Sequence, residues 1–337
     1  MNAAVLHAPR DVRHARAPAP VPGPEDVVVR VALAGICGTD LRIWRGDRVV
    51  AYPRILGHEL VGVVEAVGDA VRGLRPGTRV VIEPNYGCGR CPLCREGNGN
   101  LCPDRVAVGI DVDGGFAELV RVPARCCWPA PEGLTDDELV LAEPLAVVVR
   151  AVHRAAPTPG ATAAVVGAGP LGLLALQVLR ARGARVLVVG RTGRRLGLAR
   201  ALGADATHAL AEGSATEAAR RFSGREGVEV VVETAGTPEA VTDALALVRP
   251  GGRVALTGLP PAPTPVAFAA LVRREITVTG SMIYQAEFGE ALRLLAAGTV
   301  RGRPLLTHRF PLAAIAEAFE AHESPAAIKV VVLPGGR

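Results

Sequence analysis

The sequence predicts an α/β protein in which a strand-rich first segment precedes a doubly wound parallel sheet. Three observations carry this. Valine-rich runs such as ATAAVVGA, ARVLVVG and VEVVVET recur with alanine-rich stretches between them, the pattern of buried parallel strands joined by crossover helices. The first of these runs ends in Gly167, Gly169 and Gly172, a G-x-G-x-x-G turn between a strand and an apolar helix. The chain's 337 residues are enough for two domains.

Composition narrows the function classes. Hydrophobic residues make up 49% of the chain and aromatic ones only 3%, so the core is aliphatic. The net charge of +5 comes from 37 arginines and one lysine, Lys329, against 33 acidic residues. The arginines are scattered, without the clustered face that a nucleic-acid surface needs, so no nucleic-acid partner is expected. The apolar runs are too short to span a bilayer, and MNAAVLHAPR lacks the basic and apolar regions of a signal peptide. A cytoplasmic protein with reduced thiols and no membrane partner is expected.

The first segment carries four of the seven cysteines within CGRCPLCREGNGNLC, as Cys88, Cys91, Cys94 and Cys102. The C-x2-C-x2-C-x7-C spacing lets one glycine-rich loop supply four tetrahedral corners to zinc, each about 2.3 Å from the metal. Four thiolates close the coordination sphere, so this ion holds a lobe together and does not react. Cys126 and Cys127 have no partners at ligand spacing and are expected to pack.

A second donor set is dispersed. Cys37 lies in AGICGTDLRIW, His58 and Glu59 in ILGHELVG, and Glu143 in LAEPLAVVV. Singly these residues are weak signals. Together, Cys, His and Glu form the mixed set of a catalytic zinc that keeps one position open.

GICGTD, GHELVGVVEAVGDAV, LRPGTRV, the four-cysteine lobe, AEPLAVVV and VVGAGPLG occur in an order and spacing that closely resembles the zinc-dependent medium-chain dehydrogenase/reductase family. The Glu-Pro-Leu after the lobe is similar to the polyol (sorbitol, xylitol) and threonine dehydrogenase branch. The resemblance implies a GroES-like β-barrel catalytic domain over 1–145, a Rossmann NAD(P)-binding domain over 146–282 and a return segment over 283–337. It also implies that Cys37 and His58 bind the catalytic zinc, with Glu59 or Glu143 as third ligand. Thr39 matches the hydroxyl that begins a proton relay from the substrate alcohol. Asp40 matches the carboxylate that orients His58, as a ligating imidazole needs an acceptor on its other nitrogen. One departure stands out: Arg42 occupies a position where the family often has a proton-passing His, and Arg remains charged at any working pH.

In the turn, Gly167 makes the bend, Gly169 admits the pyrophosphate to the backbone, and Gly172 permits close helix packing. With Pro170 and Leu171, these residues open a helix whose N-terminus attracts phosphate. An NAD enzyme places Asp or Glu about twenty residues on, to hold the ribose 2′-hydroxyl. This chain reads VLVVGRTGRR, with Gly190 at that position and Arg191, Arg194 and Arg195 following. A guanidinium pairs with a 2′-phosphate, so NADP(H) is favoured over NAD(H). By resemblance, Val147 packs behind the nicotinamide and Lys329 lies toward the coenzyme.

The expected activity is reversible hydride transfer between a secondary alcohol (polyol, sugar alcohol or cyclitol) and NAD(P), with two zinc ions per chain. Trp44, Arg45 and Arg48 are candidates to line the substrate site. The partners are a small-molecule alcohol or ketone and, from the family, a homo-dimer or homo-tetramer. The alternatives are a biosynthetic NADPH-dependent ketone reductase and a non-catalytic NADPH-binding member.

Overall fold

A computed structural model of the chain describes residues 1–191 and 193–335. It divides into two units, Met1–Glu143 with the segment from Gly302 onward, and Pro144–Arg301.

The first unit is built on an extended mixed sheet, antiparallel except where Leu306–Pro311 runs parallel to Lys329–Leu333. Its path runs through Cys127–Pro129, Arg79–Ile82, Glu59–Val67, Asp26–Gly35, Lys329–Leu333 and Leu306–Pro311, and Leu119–Pro123 also pairs with Asp26–Gly35. A second small sheet joins Asn2–Ala8, Asp11–Arg16 and Arg54–Ile55. Alternation in these strands sends Val27, Val29, Val31, Leu60 and Val64 inward, which removes their apolar surface from water. Three aromatics of this unit meet in its core. Trp44 stacks on Phe319 with ring centroids 5.4 Å apart, and Phe116 meets Phe319 edge-on at 6.0 Å.

The second unit holds six parallel strands: β1 (Thr162–Val166), β2 (Arg185–Gly190), β3 (Ala206–Ala209), β4 (Val228–Glu233), β5 (Val248–Leu256) and β6 (Thr277–Gly280). Their order, β3-β2-β1-β4-β5-β6, is that of the dinucleotide-binding sheet, with its reversal between β1 and β4. Valines 165, 186, 188, 189, 231 and 232 are buried, which is why these strands read as continuous apolar runs.

Two differences from the sequence reading have physical causes. Strand β3, ATHA, carries no apolar run and becomes a strand only by pairing with Leu187–Gly190. The second unit runs to Arg301, so residues 283–301, assigned to the return segment by the resemblance, group with the parallel sheet. Helix Phe288–Ala296 buries Phe288, Ala291, Leu292 and Leu295, and the preceding turn is tied in by Arg150, which donates to Gln285 at 2.7 Å and Glu287 at 3.1 Å.

Candidate functional site

A candidate metal centre lies in the first unit where one strand ends and two begin. Gly35, last in its strand, pairs with Glu59 on one side and Val331 on the other. Ile36 then donates its amide to Val330 at 3.0 Å, and Cys37 caps helix Gly38–Arg45. His58 immediately precedes its strand, and Lys329 opens the last one. Gly35 is required here, because a Cβ at that position would overlap the Glu59 carboxylate. Glu143 comes from helix Ala142–Ala155, which begins at the end of this unit.

Cys37 Sγ, a ring nitrogen of His58 and a carboxylate oxygen of Glu59 lie within 4.8 Å of one another. Asp40 is wholly buried behind them. Its Oδ2 accepts the Cys37 amide at 2.9 Å, completing the helix cap, and its Oδ1 stands 3.3 Å from His58 Nδ1. Neither of those last two buried atoms has another partner. Asp40 therefore starts the helix and also stands beside the Nδ1 edge of the imidazole, the side away from Nε2. Burial alone lowers the His58 pKa, but Asp40 and Cys37 outweigh it and the net shift is well upward. The pocket of side chains thus favours positive charge at this spot. Together with the thiol, imidazole and carboxylate donors, that fits a zinc ion.

Of the two glutamates open as third ligand, Glu59 is the one whose oxygen joins this cluster. Glu143 is buried beside it, and that burial pushes its pKa up to about 7, opposed by His58. Thr39 sits half-buried in the first turn of the Cys37-capped helix. Lys329, which the resemblance places toward the coenzyme, is buried, and its Nζ donates to both Glu59 oxygens at 2.6 Å and to the Ile36 carbonyl at 3.1 Å, beside the candidate metal ligands. The signal in the sequence was its solitude as the only lysine; its partner carried none.

Two of the substrate-lining candidates face opposite ways. Trp44 is 4% exposed in the core, with Arg10 over its ring, and Arg45 pairs with Glu323 at 2.6 Å. Helical spacing explains this: Leu41 and Trp44 lie on the inner face of their helix, and Arg45 on the outer.

The lobe gathers the sulfurs of Cys88, Cys91, Cys94 and Cys102 within 4.8 Å of one another, and none is in a disulfide. Successive amides point at sulfur: Cys91 to Cys88, Cys94 to Cys91 and Cys88 to Cys102, each at 3.4 Å. Amides of Arg90 and Cys91 lower the Cys88 pKa to about 6. Four thiols with amides directed at them suit a closed tetrahedral zinc. Among the described residues, these four and the Cys37 cluster are the two groups with metal-holding geometry.

In the second unit, β1 ends at Gly167, whose φ of +105° a side chain would strain. Helix Pro170–Ala181 follows, with Gly169 as N-cap and Pro170 in the first turn. A Cβ on Gly172 would collide with the Gly167 carbonyl, so the turn and helix touch backbone to backbone. Leu171 and Val147 are half-buried; Val147 is the one such position in an otherwise buried stretch of its helix. Gly190 ends β2 against Ala168, where a Cβ would come within 2.9 Å. Arg191 is exposed, and Arg195 is half-buried, its pKa lowered by burial and by the charge of Arg191. Sequence reasoning did not single out Thr234, which accompanies the turn: its hydroxyl donates to Val166 at 3.1 Å and Gly167 at 3.2 Å.

Comparison with known proteins agrees with this layout. The alcohol dehydrogenase GroES-like domain matches residues 23–132, and the zinc-binding dehydrogenase domain matches residues 170–297. The chain is 36% identical over 327 residues to a sorbitol dehydrogenase of Bacillus subtilis, covering 95% of this chain and 93% of that one. A candidate zinc-binding dehydrogenase of Sinorhizobium meliloti, solved with NADP, superposes with a TM-score of 0.95 at 34% identity over 99% of both chains. An alcohol dehydrogenase of Escherichia coli complexed with NADH superposes with a TM-score of 0.93 at 31% identity, again over 99% of both.

Proposed function

Since the chain belongs to the zinc-dependent medium-chain dehydrogenase/reductase family, in its polyol-dehydrogenase-like branch, and is an oxidoreductase acting on CH–OH donors, we propose that it interconverts a secondary alcohol of a polyol with its ketone using NADP(H). The observation that carries this reading is the Cys37–His58–Glu59 cluster with Asp40 behind it.

Cys37, His58 and Glu59 would hold one zinc, and the four lobe cysteines a second. Zinc in the open site supplies Lewis acidity toward an alcohol oxygen, and the nicotinamide supplies the hydride acceptor. The chain's own residues do the rest. Asp40 keeps His58 in one tautomer and orientation. Thr39 offers a hydroxyl to carry the alcohol proton away. Glu143, with its pKa near 7, is able to take up or release a proton at working pH. That supplies a proton acceptor in a chain where Arg42 replaces the usual histidine.

For the coenzyme, the Gly167–Gly172 turn offers backbone amides and a helix N-terminus to the pyrophosphate. Two observations support the 2′-phosphate preference. Gly190 leaves no room for a carboxylate without displacing Ala168, and Arg191 and Arg195 crowd like charge where an anion would relieve it. The likeness to both NADP- and NADH-bound relatives makes the assay direct. Sorbitol and related polyols suit as substrates because the Bacillus relative is a sorbitol dehydrogenase. A cytoplasmic dimer or tetramer is proposed on the same footing.

The test is a panel of polyols and ketones assayed with both coenzymes, alongside metal analysis. Two zinc ions per chain and turnover of polyols with preference for NADP support the reading. One ion, confined to the lobe, with no turnover, overturns it.

A further inference from the structure

A second buried carboxylate lies outside the metal centre, at the head of the dinucleotide turn. Glu233 ends β4, beside β1, at the point where the strand order reverses. Its side chain is wholly buried and has no cationic partner among the described residues. Oε1 accepts the amides of Ala235 at 2.6 Å and Gly236 at 2.7 Å. Oε2 lies against Gly258, in the turn after β5, without completing a hydrogen bond. Burial raises its pKa against the pull of those amides. A buried carboxylate without a counter-ion is a costly way to brace a sheet that apolar valines already hold.

The next residue faces the opposite way. Thr234 donates its amide to Val166 at 3.0 Å, and its hydroxyl reaches the Val166 and Gly167 carbonyls. A Cβ on Gly167 would come within 2.9 Å of that hydroxyl, and one on Gly172 within 3.0 Å. The turn Thr234–Gly236 is therefore clamped from below by Glu233 and presses from above on Gly167 and Gly172.

We propose that Glu233 is a positioning residue for the nicotinamide dinucleotide: by fixing the turn Thr234–Gly236 it seats Thr234 on Gly167 and sets the shape of the pyrophosphate-binding turn. This rests on the coenzyme role given above to Gly167–Gly172. Glu233 touches no coenzyme itself. It acts through backbone amides that would otherwise be free to reorient.

The test is fluorescence titration of NADPH and NADH into wild type, Glu233→Ala, Glu233→Gln and Thr234→Val. Glu233→Ala leaves two buried amides unpaired and is expected to weaken both coenzymes by about tenfold or more. Glu233→Gln keeps an acceptor oxygen for the amides and should recover most of that loss, a rescue that general destabilisation would not give. Thr234→Val removes the link to Gly167 and should weaken binding by about threefold. The Michaelis constant for coenzyme should rise by a larger factor than kcat falls. If wild type binds but folded Glu233→Ala and Thr234→Val bind equally well, the positioning role is overturned while the coenzyme reading stands. If wild type binds neither coenzyme, both are overturned. Should Glu233→Ala not fold, Thr234→Val decides alone, and unchanged affinity there refutes the proposal.

Discussion

Lys329 holds both carboxylate oxygens of Glu59 at 2.6 Å, with neither side chain in contact with solvent to any useful extent. The ammonium also donates to the Ile36 carbonyl, one residue before Cys37. A candidate metal ligand is thus tethered to the chain segment that presents its neighbour. Burial alone lowers the Lys329 pKa, yet Glu59 and Cys37 outweigh it, and the net shift is upward.

Removing the cation tests the tether. Lys329→Met leaves Glu59 buried without its partner and is expected to destabilise the protein by about 3 kcal/mol. The double variant Lys329→Met/Glu59→Gln should regain much of this, since it removes the unpaired charge. Urea unfolding of the wild type, the two single variants Lys329→Met and Glu59→Gln, and the double variant measures the coupling; additive effects would mean that the two residues do not interact as described.

The room made by Gly35 supports a second prediction. Gly35→Ala places a methyl group on the Glu59 carboxylate, which must move away from Cys37 and His58. Zinc affinity at this site should fall about 10–100-fold. Competition with a chelator reads this, and the lobe should keep its ion, so that metal content falls toward one per chain.

Coenzyme choice is tested at the end of β2. Arg191→Asp replaces a group suited to a 2′-phosphate with one that repels it. The NADP/NAD ratio of kcat/KM is expected to fall by about 10–100-fold, the worth of a charged hydrogen bond. An unchanged ratio would show that Arg191 faces only solvent.

A pH-dependent prediction comes from Glu287, which accepts from Arg150 at 3.1 Å and from the Gln285 amide at 2.6 Å. Burial opposes ionisation, but these donors win and its pKa lies below the ordinary 4.5. The folded state therefore binds this proton less readily than the unfolded one. The stability it contributes is present above pH 4.5 and is lost as pH falls through the depressed value. Glu287→Gln should cost about 1–3 kcal/mol at pH 7. The gap from wild type should close as the pH falls below 4.5 and through the depressed value; a gap independent of pH would exclude the ion pair as its source.

Legibility in the sequence followed distance along the chain. The lobe is contained in residues 88–102 and the glycine turn in 167–172, so ligand spacing and turn chemistry were both visible locally. Trp44 lies only seven residues from Cys37 and packs into the core, a placement not legible locally because sequence proximity does not say which helix face turns inward. Strand β3 was invisible because ATHA has no apolar pattern and is a strand only through its neighbour.

The sequence by itself determined the family, the donor types and the two kinds of sheet, since these depend on composition and short spacings. Only the tertiary structure decided which atoms meet. Glu59 and Lys329 are 270 positions apart and are brought together because their strands flank the same strand, Asp26–Gly35, on its two sides. Asp40 becomes both helix cap and imidazole partner only when the chain's fold places His58 beside it. Side-chain chemistry is written residue by residue, whereas partnership depends on strand register, which is set by the burial of the whole sheet face.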